Sequence, residues 1–328
     1  MSVITTPTFA QLAQELAFMQ CFEIEGVKGV WHVDSGNPGP VLGITIHTHG
    51  NEPSGLAALW YFRNQFDLRK NLKRGSMFFV LNNMRATEQY FTAINVADLD
   101  ERERQKTKAR FCDVNMNRLP SNAPNIVGDG RYEIIRTQEL RPIWQKFEVA
   151  FDIHSVSKKS GPMIIACGGL QPDLIRGFPV DTIITNIEKI QVDKPAVSFY
   201  GGEDSIRTLA IEAGSHEDDS SLRCSIACTM ALLQNLGLIE GQNDAIPREY
   251  KEYFVDGSVI LFDASYEMVK VFEMFEPIKQ GQILARCGKD QIIATFDGHA
   301  LMGRPTTKPD FLNEEMLFLS RPVKKLMI

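Results

Sequence analysis

The sequence predicts an α/β fold followed by a small all-β domain, and two features of the apolar pattern lead to this prediction. Apolar runs of strand length alternate with amphipathic segments of helical length up to about residue 236. From about residue 245 onward, short β-type runs are separated by turn residues about every eight to twelve positions. We therefore expect a mostly parallel sheet covered by helices in residues 1–240 and a β-rich domain in residues 245–328.

The elements of the α/β part follow from its individual apolar runs. The predicted strands are VLGITIHT, SMFFVLNN, VAFDIHS, PMIIAC, DTIIT and TLAIEAG. The predicted helices are EPSGLAALWYFRNQF, YEIIRTQELRPIWQKF and SLRCSIACTMALLQNL, and the last stops at Gly237, a natural C-terminal cap. The charged stretch ADLDERERQKTKARF lacks a sustained apolar stripe, so we expect a solvated connection there. In the β-rich part, the predicted strands are VILFDAS, MVKVFEMF, QILARCG, QIIATFDG and EEMLFLSRPV.

The composition is that of an ordinary soluble globular protein, because 44% of the 328 residues are hydrophobic and 23% are charged. A formal net charge of −6 disfavours nucleic acid and anionic membranes as partners. No apolar stretch of about 18 residues occurs, and the N-terminus lacks the basic region and apolar core of a signal peptide. The six cysteines do not have the spacing of a disulfide scaffold or of a paired metal motif. We expect a cytoplasmic protein.

Residues that can bind a metal ion follow the first long strand, in the stretch IHTHGNEPSG. His49 and Glu52 are three positions apart at a strand-to-helix turn, where Gly50 permits a tight bend, so both side chains can face one point beyond the sheet. Taken alone, the pair is a weak signal and is better explained by a histidine and a glutamate at a helix N-terminus, where the dipole favours negative charge. His47 is an alternative ligand, since residues 47 and 49 of a strand face the same side.

A third ligand is expected at the end of another strand, where VAFDIHS ends in His154 and Ser155. Imidazole and carboxylate groups from such strand ends form the ligand set of a catalytic zinc, which uses three protein ligands. Asp152 lies two residues before His154 on the same side of the strand. It either orients a ligand or faces a helix, and the sequence leaves both alternatives open.

The stretches TLAIEAGSHED and ARFCDVNMNRLP contain further candidates for a catalytic site. Glu212 lies near the end of an apolar strand, where a carboxylate is costly without a function or a partner, so it is the best candidate for a general base. Arg110, Asn117 and Arg118 lie in a polar loop and are suited to binding a carboxylate or an oxyanion. His216, four residues after Glu212, is a candidate pocket residue or the start of a helix.

The elements HGNE, NR, DIHS and IEAG, in this order over about 170 residues, resemble those of the succinylglutamate desuccinylase and aspartoacylase family. That family is itself similar to the zinc carboxypeptidases. The resemblance covers the α/β part and implies a carboxypeptidase-like mixed sheet flanked by helices, with the β-rich domain lying over the site. It also implies one Zn²⁺ per chain, bound by His49, Glu52 and His154.

The roles of the remaining residues are also implied by the resemblance. Glu212 matches the general base, Arg110 matches the arginine that stabilises the oxyanion, and Asn117 and Arg118 match the pair that holds the substrate carboxylate. The implied reaction is hydrolysis of the amide bond of a small N-acyl amino acid. Family members have aspartate and leucine where this chain has Asn115 and Met116, and we expect this difference to affect substrate identity and leave metal binding untouched.

Two other functions remain open from the sequence. One is a carboxypeptidase-like peptidase that acts on short peptides. The other is a zinc-binding protein without catalysis, which Glu212 argues against because a structural site needs no base and usually closes the fourth position. The expected partner is a small substrate that bears a carboxylate, and a homo-oligomer is compatible with the sequence.

Overall fold

The structure is a computed structural model and describes residues 4–156, 160–201, 206–216, 218–241, 248–309 and 312–328. The chain divides into two compact units. The first contains Met1–Ile164, Gln171–Val180 and Asp193–Pro247. The second contains Ile165–Leu170, Asp181–Val192 and Arg248–Ile328.

The described residues form strands and helices in an alternating order up to residue 235. The strands are β1 (Glu23–Ile24), β2 (Val27–Lys28), β3 (Val30–Asp34), β4 (Val41–Ile46), β5 (Ser76–Leu81), β6 (Val149–Val156), β7 (Met163–Ala166), β8 (Thr182–Thr185), β9 (Arg207–Ser215), β10 (Glu249–Ile260), β11 (Glu267–Met268), β12 (Pro277–Ile278), β13 (Ile283–Cys287), β14 (Asp290–Ile293), β15 (Gly298–Leu301), β16 (Glu315–Ser320) and β17 (Lys324–Met327). The α-helices are α1 (Phe9–Gln20), α2 (Ser54–Asn64), α3 (Leu68–Asn71), α4 (Met84–Ile94), α5 (Leu99–Lys108), α6 (Tyr132–Trp144), α7 (Pro172–Ile175), α8 (Ile187–Ile190) and α9 (Asp219–Asn235).

The first unit is built on a mixed sheet with the strand order β9-β6-β4-β5-β3. Its pairs β4–β5, β4–β6 and β6–β9 are parallel, whereas β3 runs antiparallel to β5. Every residue of β5 is buried, and so is almost all of β4 and β6. Burial on both faces is favourable for strands that consist mainly of apolar and β-branched residues. The predicted α/β sheet is therefore confirmed.

Helices α2 and α9 pack against each other and against this sheet, α2 on β4 and β6 and α9 on β9. Helix α9 is followed by Gly237 in the left-handed conformation, with φ of 64°. The N–H of Leu238 donates to the carbonyl of Leu233 over 2.9 Å, the hydrogen bond that commonly closes a helix before a left-handed glycine. The predicted cap is confirmed.

The second unit is rich in β-structure, as predicted. Five of its strands are hydrogen-bonded in the order β12-β15-β16-β10-β8, with β17 pairing to β10, and a three-stranded sheet has the order β11-β13-β14. Apolar side chains of these strands and of the turns between them form one core, which includes Val259, Phe272, Leu284 and Leu317. The predicted strand MVKVFEMF is wrong beyond Met268. Phe272 is buried in the core without belonging to a strand, and Phe275 has a φ of 63°, which breaks an extended run.

The charged stretch that we expected to be a connection is a helix, α5, and none of its residues is buried. The carboxylate of Asp98 accepts a hydrogen bond from the N–H of Glu101 over 2.8 Å and caps the helix. Acidic residues follow in the first turn and lysines in the last, and Glu103 pairs with Lys106 at 3.0 Å. Charge patterning thus stabilises this helix without an apolar stripe. Within the described ranges, no helix is long and apolar enough to cross a membrane.

Candidate metal centre

Three buried side chains, those of His49, Glu52 and His154, form a group that could bind a metal ion. Nδ1 of His49 lies 2.7 Å from one carboxylate oxygen of Glu52, and Nδ1 of His154 lies 2.8 Å from the other. One ligand atom from each residue lies within 4.8 Å of those of the other two. The structure therefore brings together the three residues that the sequence proposed as ligands.

The turn that carries His49 and Glu52 lies between the end of β4 at Ile46 and the start of α2 at Ser54. Glu52 consequently precedes the N-cap Pro53 and does not belong to the first turn of the helix. Gly50 is required by close packing. A Cβ at this position would come within 2.3 to 2.4 Å of the backbone of Ala86 and Ala109, so the turn cannot accommodate a side chain there.

Asp152 contacts the ring nitrogen of His154 that does not contact Glu52, with its Oδ2 2.9 Å from Nε2. The other carboxylate oxygen of Asp152 accepts hydrogen bonds from the hydroxyls of Thr45 (2.8 Å) and Thr48 (3.1 Å). Burial lowers the pKa of His154, but the charges of Asp152 and Glu52 outweigh it and raise this pKa well above its ordinary value. Of the two alternatives that the sequence left open, the hydrogen bond to Nε2 favours the one in which Asp152 orients His154.

His49 is held differently, because its Nε2 lies 2.9 Å from the amide oxygen of Asn115. Burial lowers the pKa of His49 to about 4, and the positive charge of Arg110 acts in the same direction. The two histidines thus have unequal partners, a carboxylate for His154 and a neutral amide for His49. Position 115 therefore contacts one of the three candidate ligands directly, so the expectation that it leaves metal binding untouched stays a prediction, which the Asn115→Asp variant tests.

Arg110 lies beside the same group, with Nη1 donating to Oε1 of Glu52 over 3.0 Å. The arginine side chain is 39% exposed, whereas that of Glu52 is 2% exposed. Burial alone would raise the pKa of Glu52, but the charges of His49 and His154 and their hydrogen bonds lower it well below its ordinary value. Glu52 therefore remains ionised although it is buried.

Glu212 lies directly opposite His154 in the register between β6 and β9. Its Oε2 is buried and has no hydrogen-bond partner among the residues that the structure describes. Burial raises the pKa of Glu212 to about 8, although the charge of His154 opposes this. A carboxylate that has one buried oxygen without a partner, next to a group of candidate ligands, often marks a functional residue.

Asn117 and Arg118 are linked to the group through Asn115. The amide oxygen of Asn115 accepts a second hydrogen bond, from the N–H of Asn117, over 2.8 Å. The Asn117 side-chain oxygen accepts from the N–H of Ala196 over 3.3 Å, and the guanidinium of Arg118 donates to the Asn117 carbonyl over 2.7 Å. The predicted substrate-binding pair thus belongs to a segment that is connected to His49.

The two histidines left open by the sequence have different surroundings. His47 is buried, has a φ of 52°, and directs Nδ1 toward the carbonyl oxygen of Gly50 at 3.2 Å. It lies beyond the end of β4, so the strand argument that made it an alternative ligand does not apply, and it is not part of the three-residue group. Nδ1 of His216 lies 2.9 Å from the hydroxyl of Ser155, whose N–H donates to Glu52 over 3.3 Å.

The polar residues next to the candidate ligand group of His49, Glu52 and His154 were not identified from the sequence. The side-chain amide of Asn82 donates to the hydroxyl oxygens of Thr48 (2.9 Å) and Tyr200 (3.0 Å). Thr48 in turn bonds Asp152, so a buried polar network extends behind His154. The one signal in the sequence was a polar residue inside an apolar run, Thr45 in VLGITI.

Comparison with known proteins finds similarity in structure and none in sequence. No family model and no curated protein matches the sequence. The succinylglutamate desuccinylase of Vibrio parahaemolyticus is 13% identical with a TM-score of 0.67, covering 97% of this chain and 98% of that one. Murine aminoacylase 3 is 16% identical with a TM-score of 0.60, covering 89% and 97%. The product-bound ectoine utilization protein EutE of Ruegeria pomeroyi is 15% identical with a TM-score of 0.55, covering 89% and 88%. The chain therefore has the fold of the succinylglutamate desuccinylase and aminoacylase structures.

Proposed function

We propose that this protein is a zinc-dependent amidohydrolase that releases the amino acid from a small N-acyl amino acid, and that it belongs to the succinylglutamate desuccinylase and aspartoacylase family. One observation carries the proposal. A buried group of His49, Glu52 and His154 lies beside Glu212, a carboxylate whose burial leaves one oxygen without a partner among the described residues. The names of the structural neighbours, a desuccinylase and an aminoacylase, support the same reaction class.

The three donors fit a zinc ion. Two imidazole nitrogens and one carboxylate oxygen are a ligand set that catalytic zinc uses, with a position left for water or substrate. His154 lies between the carboxylates of Glu52 and Asp152, so a cation at Nδ1 would take the place of a proton there. When bound, Zn²⁺ acts as a Lewis acid that lowers the pKa of water from 15.7 to about 7.

Glu212 is the proposed general base. In its ionised form it accepts a proton from the water that attacks the acyl carbon. It then returns this proton to the nitrogen of the departing amine as the carbon–nitrogen bond breaks. Burial raises the pKa of Glu212 to about 8 in the metal-free protein. The positive charge of a cation bound beside it would lower this pKa toward the neutral range, in which a carboxylate can both accept and return a proton.

Arg110 and the segment after it provide the positive charge that the reaction needs. The partly exposed guanidinium of Arg110 has five N–H donors in a rigid plane, of which one contacts Glu52. It can therefore stabilise negative charge that develops on the acyl oxygen beside the metal group. Asn117 and Arg118 are proposed to hold the substrate carboxylate, for which the planar guanidinium is well suited.

The substrate class is small amides that bear a carboxylate. We also propose that the protein works in the cytoplasm and that neither nucleic acid nor a membrane takes part, which the net charge of −6 supports.

The test measures amine release from N-acetyl, N-succinyl and other N-acyl amino acids by the zinc-loaded protein. Three proteins are compared: wild type, Glu212→Ala, and Glu103→Gln, a matched control because Glu103 is 68% exposed on α5. We expect release by wild type and control, its loss in the variant at 212, and its loss and return on chelation and zinc addition. Equal release by all three proteins would remove Glu212 from the mechanism, and cleavage of short peptides alone would favour a peptidase.

A further inference from the structure

Residues 110–118 carry Arg110, Asn117 and Arg118, yet none of them belongs to a helix or strand. Because the segment lacks the backbone hydrogen bonds of a helix or a sheet, its conformation depends on contacts with other parts of the chain. At its start, the carbonyl of Arg110 accepts from the N–H of Gly50 over 2.9 Å. Near its end, Asn115 contacts His49. A third contact lies between these two and contains more hydrogen bonds than either of them.

That contact is the carboxylate of Glu133, which is fully buried at the start of α6. Oε2 accepts from the backbone N–H groups of Asp113 and Val114, each over 3.0 Å. Oε1 accepts from the N–H of Cys112 over 2.6 Å and from the side-chain amide of Asn83 over 2.9 Å. Three consecutive amides of the segment thus converge on one carboxylate.

The choice of glutamate at position 133 has a physical reason. A carboxylate accepts through both oxygens, whereas a glutamine at the same place would present an N–H₂ group to donors. The first turn of a helix also favours negative charge. Burying such a group is costly unless every lone pair is used, and here both oxygens accept two hydrogen bonds each.

We propose that Glu133 is a positioning residue that holds segment 110–118, and through it Arg110 and Asn115, in the geometry that hydrolysis requires. Glu133 acts through backbone amides and does not touch the three candidate ligands. The kinetic part of this proposal rests on the proposed function. The structural part, that the carboxylate immobilises the segment, stands on the hydrogen bonds alone.

Amide hydrogen exchange tests the structural part without any enzyme assay. In the wild-type protein, the amides of Cys112, Asp113 and Val114 should exchange slowly although they lie outside helices and strands, whereas the exposed loop amide at Val127 should exchange fast. Glu133→Gln, which keeps one acceptor, should speed exchange at the three amides, and Glu133→Leu should speed it further. Fast exchange in the wild type, or no change in Glu133→Gln, would overturn the proposal even if Glu133→Leu failed to fold.

A double-mutant cycle with Arg110→Ala tests the kinetic part. Because a misplacement of about 1 Å can cost about a hundredfold in rate, Glu133→Gln should lower kcat/KM by tenfold or more in the wild type. In the Arg110→Ala background its effect should shrink several-fold, since residues that act as a unit are not additive. Leu140→Ala, at a buried position further along the same helix, is the control and should have the same effect in both backgrounds.

The outcomes separate the two proposals. An equal loss from Glu133→Gln in both backgrounds would overturn the positioning role. If the wild-type protein hydrolysed no N-acyl amino acid, the proposed function would fail. The exchange measurements would in that case still decide whether Glu133 holds the segment.

Discussion

Replacing Glu212 by glutamine should stabilise the metal-free protein at alkaline pH, and the gain follows from the burial of this carboxylate. The pKa of Glu212 is about 8 in the folded protein, against an ordinary value of 4.5. The folded state therefore binds more protons than the unfolded state between these values, so its stability falls as pH rises through this window. At about 1.36 kcal/mol for each pKa unit, a difference of about 3.5 units corresponds to about 5 kcal/mol above pH 8.

The measurement is urea unfolding of metal-free wild type and Glu212→Gln at pH 5 and pH 9. At pH 5 Glu212 is still protonated in the folded wild-type protein, so most of the free-energy cost of ionising it is absent. The difference in unfolding free energy between the variant and the wild type should therefore be about 4 kcal/mol larger at pH 9 than at pH 5. Contributions from titrating groups that do not interact with Glu212 cancel in this comparison, because both proteins share them. Glu103→Gln, an exposed control on α5, should show no comparable pH-dependent gain.

The same difference in unfolding free energy at both pH values would refute the reasoning. It would mean that the Glu212 carboxylate is solvated in the folded state and ionises there as easily as in the unfolded state. If Glu212→Gln is more stable than the wild type but no longer hydrolyses the substrate, Glu212 lowers the stability of the folded protein and is required for its activity.

Three further predictions concern the metal group and its partners. Arg110→Ala should lower kcat about a hundredfold or more, as expected for loss of one oxyanion donor, and a loss below about threefold in steady-state assays would mean another role. Asp152→Ala should weaken zinc binding about 10- to 100-fold in a chelator competition, because Nε2 of His154 loses its acceptor; unchanged affinity would contradict this. Asn115→Asp should strengthen zinc binding in the same competition, since a carboxylate would replace the neutral amide at Nε2 of His49. Weaker binding in this variant would show that the amide is required.

The sequence allowed the strands of the first unit and the residues at their ends to be predicted. Strand-length apolar runs that end in HTHGNE and DIHS placed His49, Glu52 and His154 at one edge of a parallel sheet. The structure brings these three together because β4 and β6 are neighbours in parallel register. Glu212 was proposed as the base for another local reason, because the free-energy cost of placing a carboxylate in an apolar strand can be recognised from the neighbouring residues alone.

The contacts that orient these residues could not be predicted from the sequence. Glu133 lies 19 to 21 positions from the amides it binds, and Asn115 lies 66 positions from His49. Neither contact leaves a local periodicity, because a hydrogen bond between distant segments depends on how the chain folds back on itself. For the same reason the contact of Asn115 with His49 and the hydrogen bond between Asp152 and His154 could not be foreseen.

By itself, the sequence determined which side chains are candidate ligands and at which edge of the sheet they stand, because hydrophobic periodicity sets strand ends locally. Only the tertiary structure decided how unequally the two histidines are held and which carboxylate holds the segment with Arg110. These features depend on the free energy of burying polar groups, and that free energy is determined only when all their partners have been brought together.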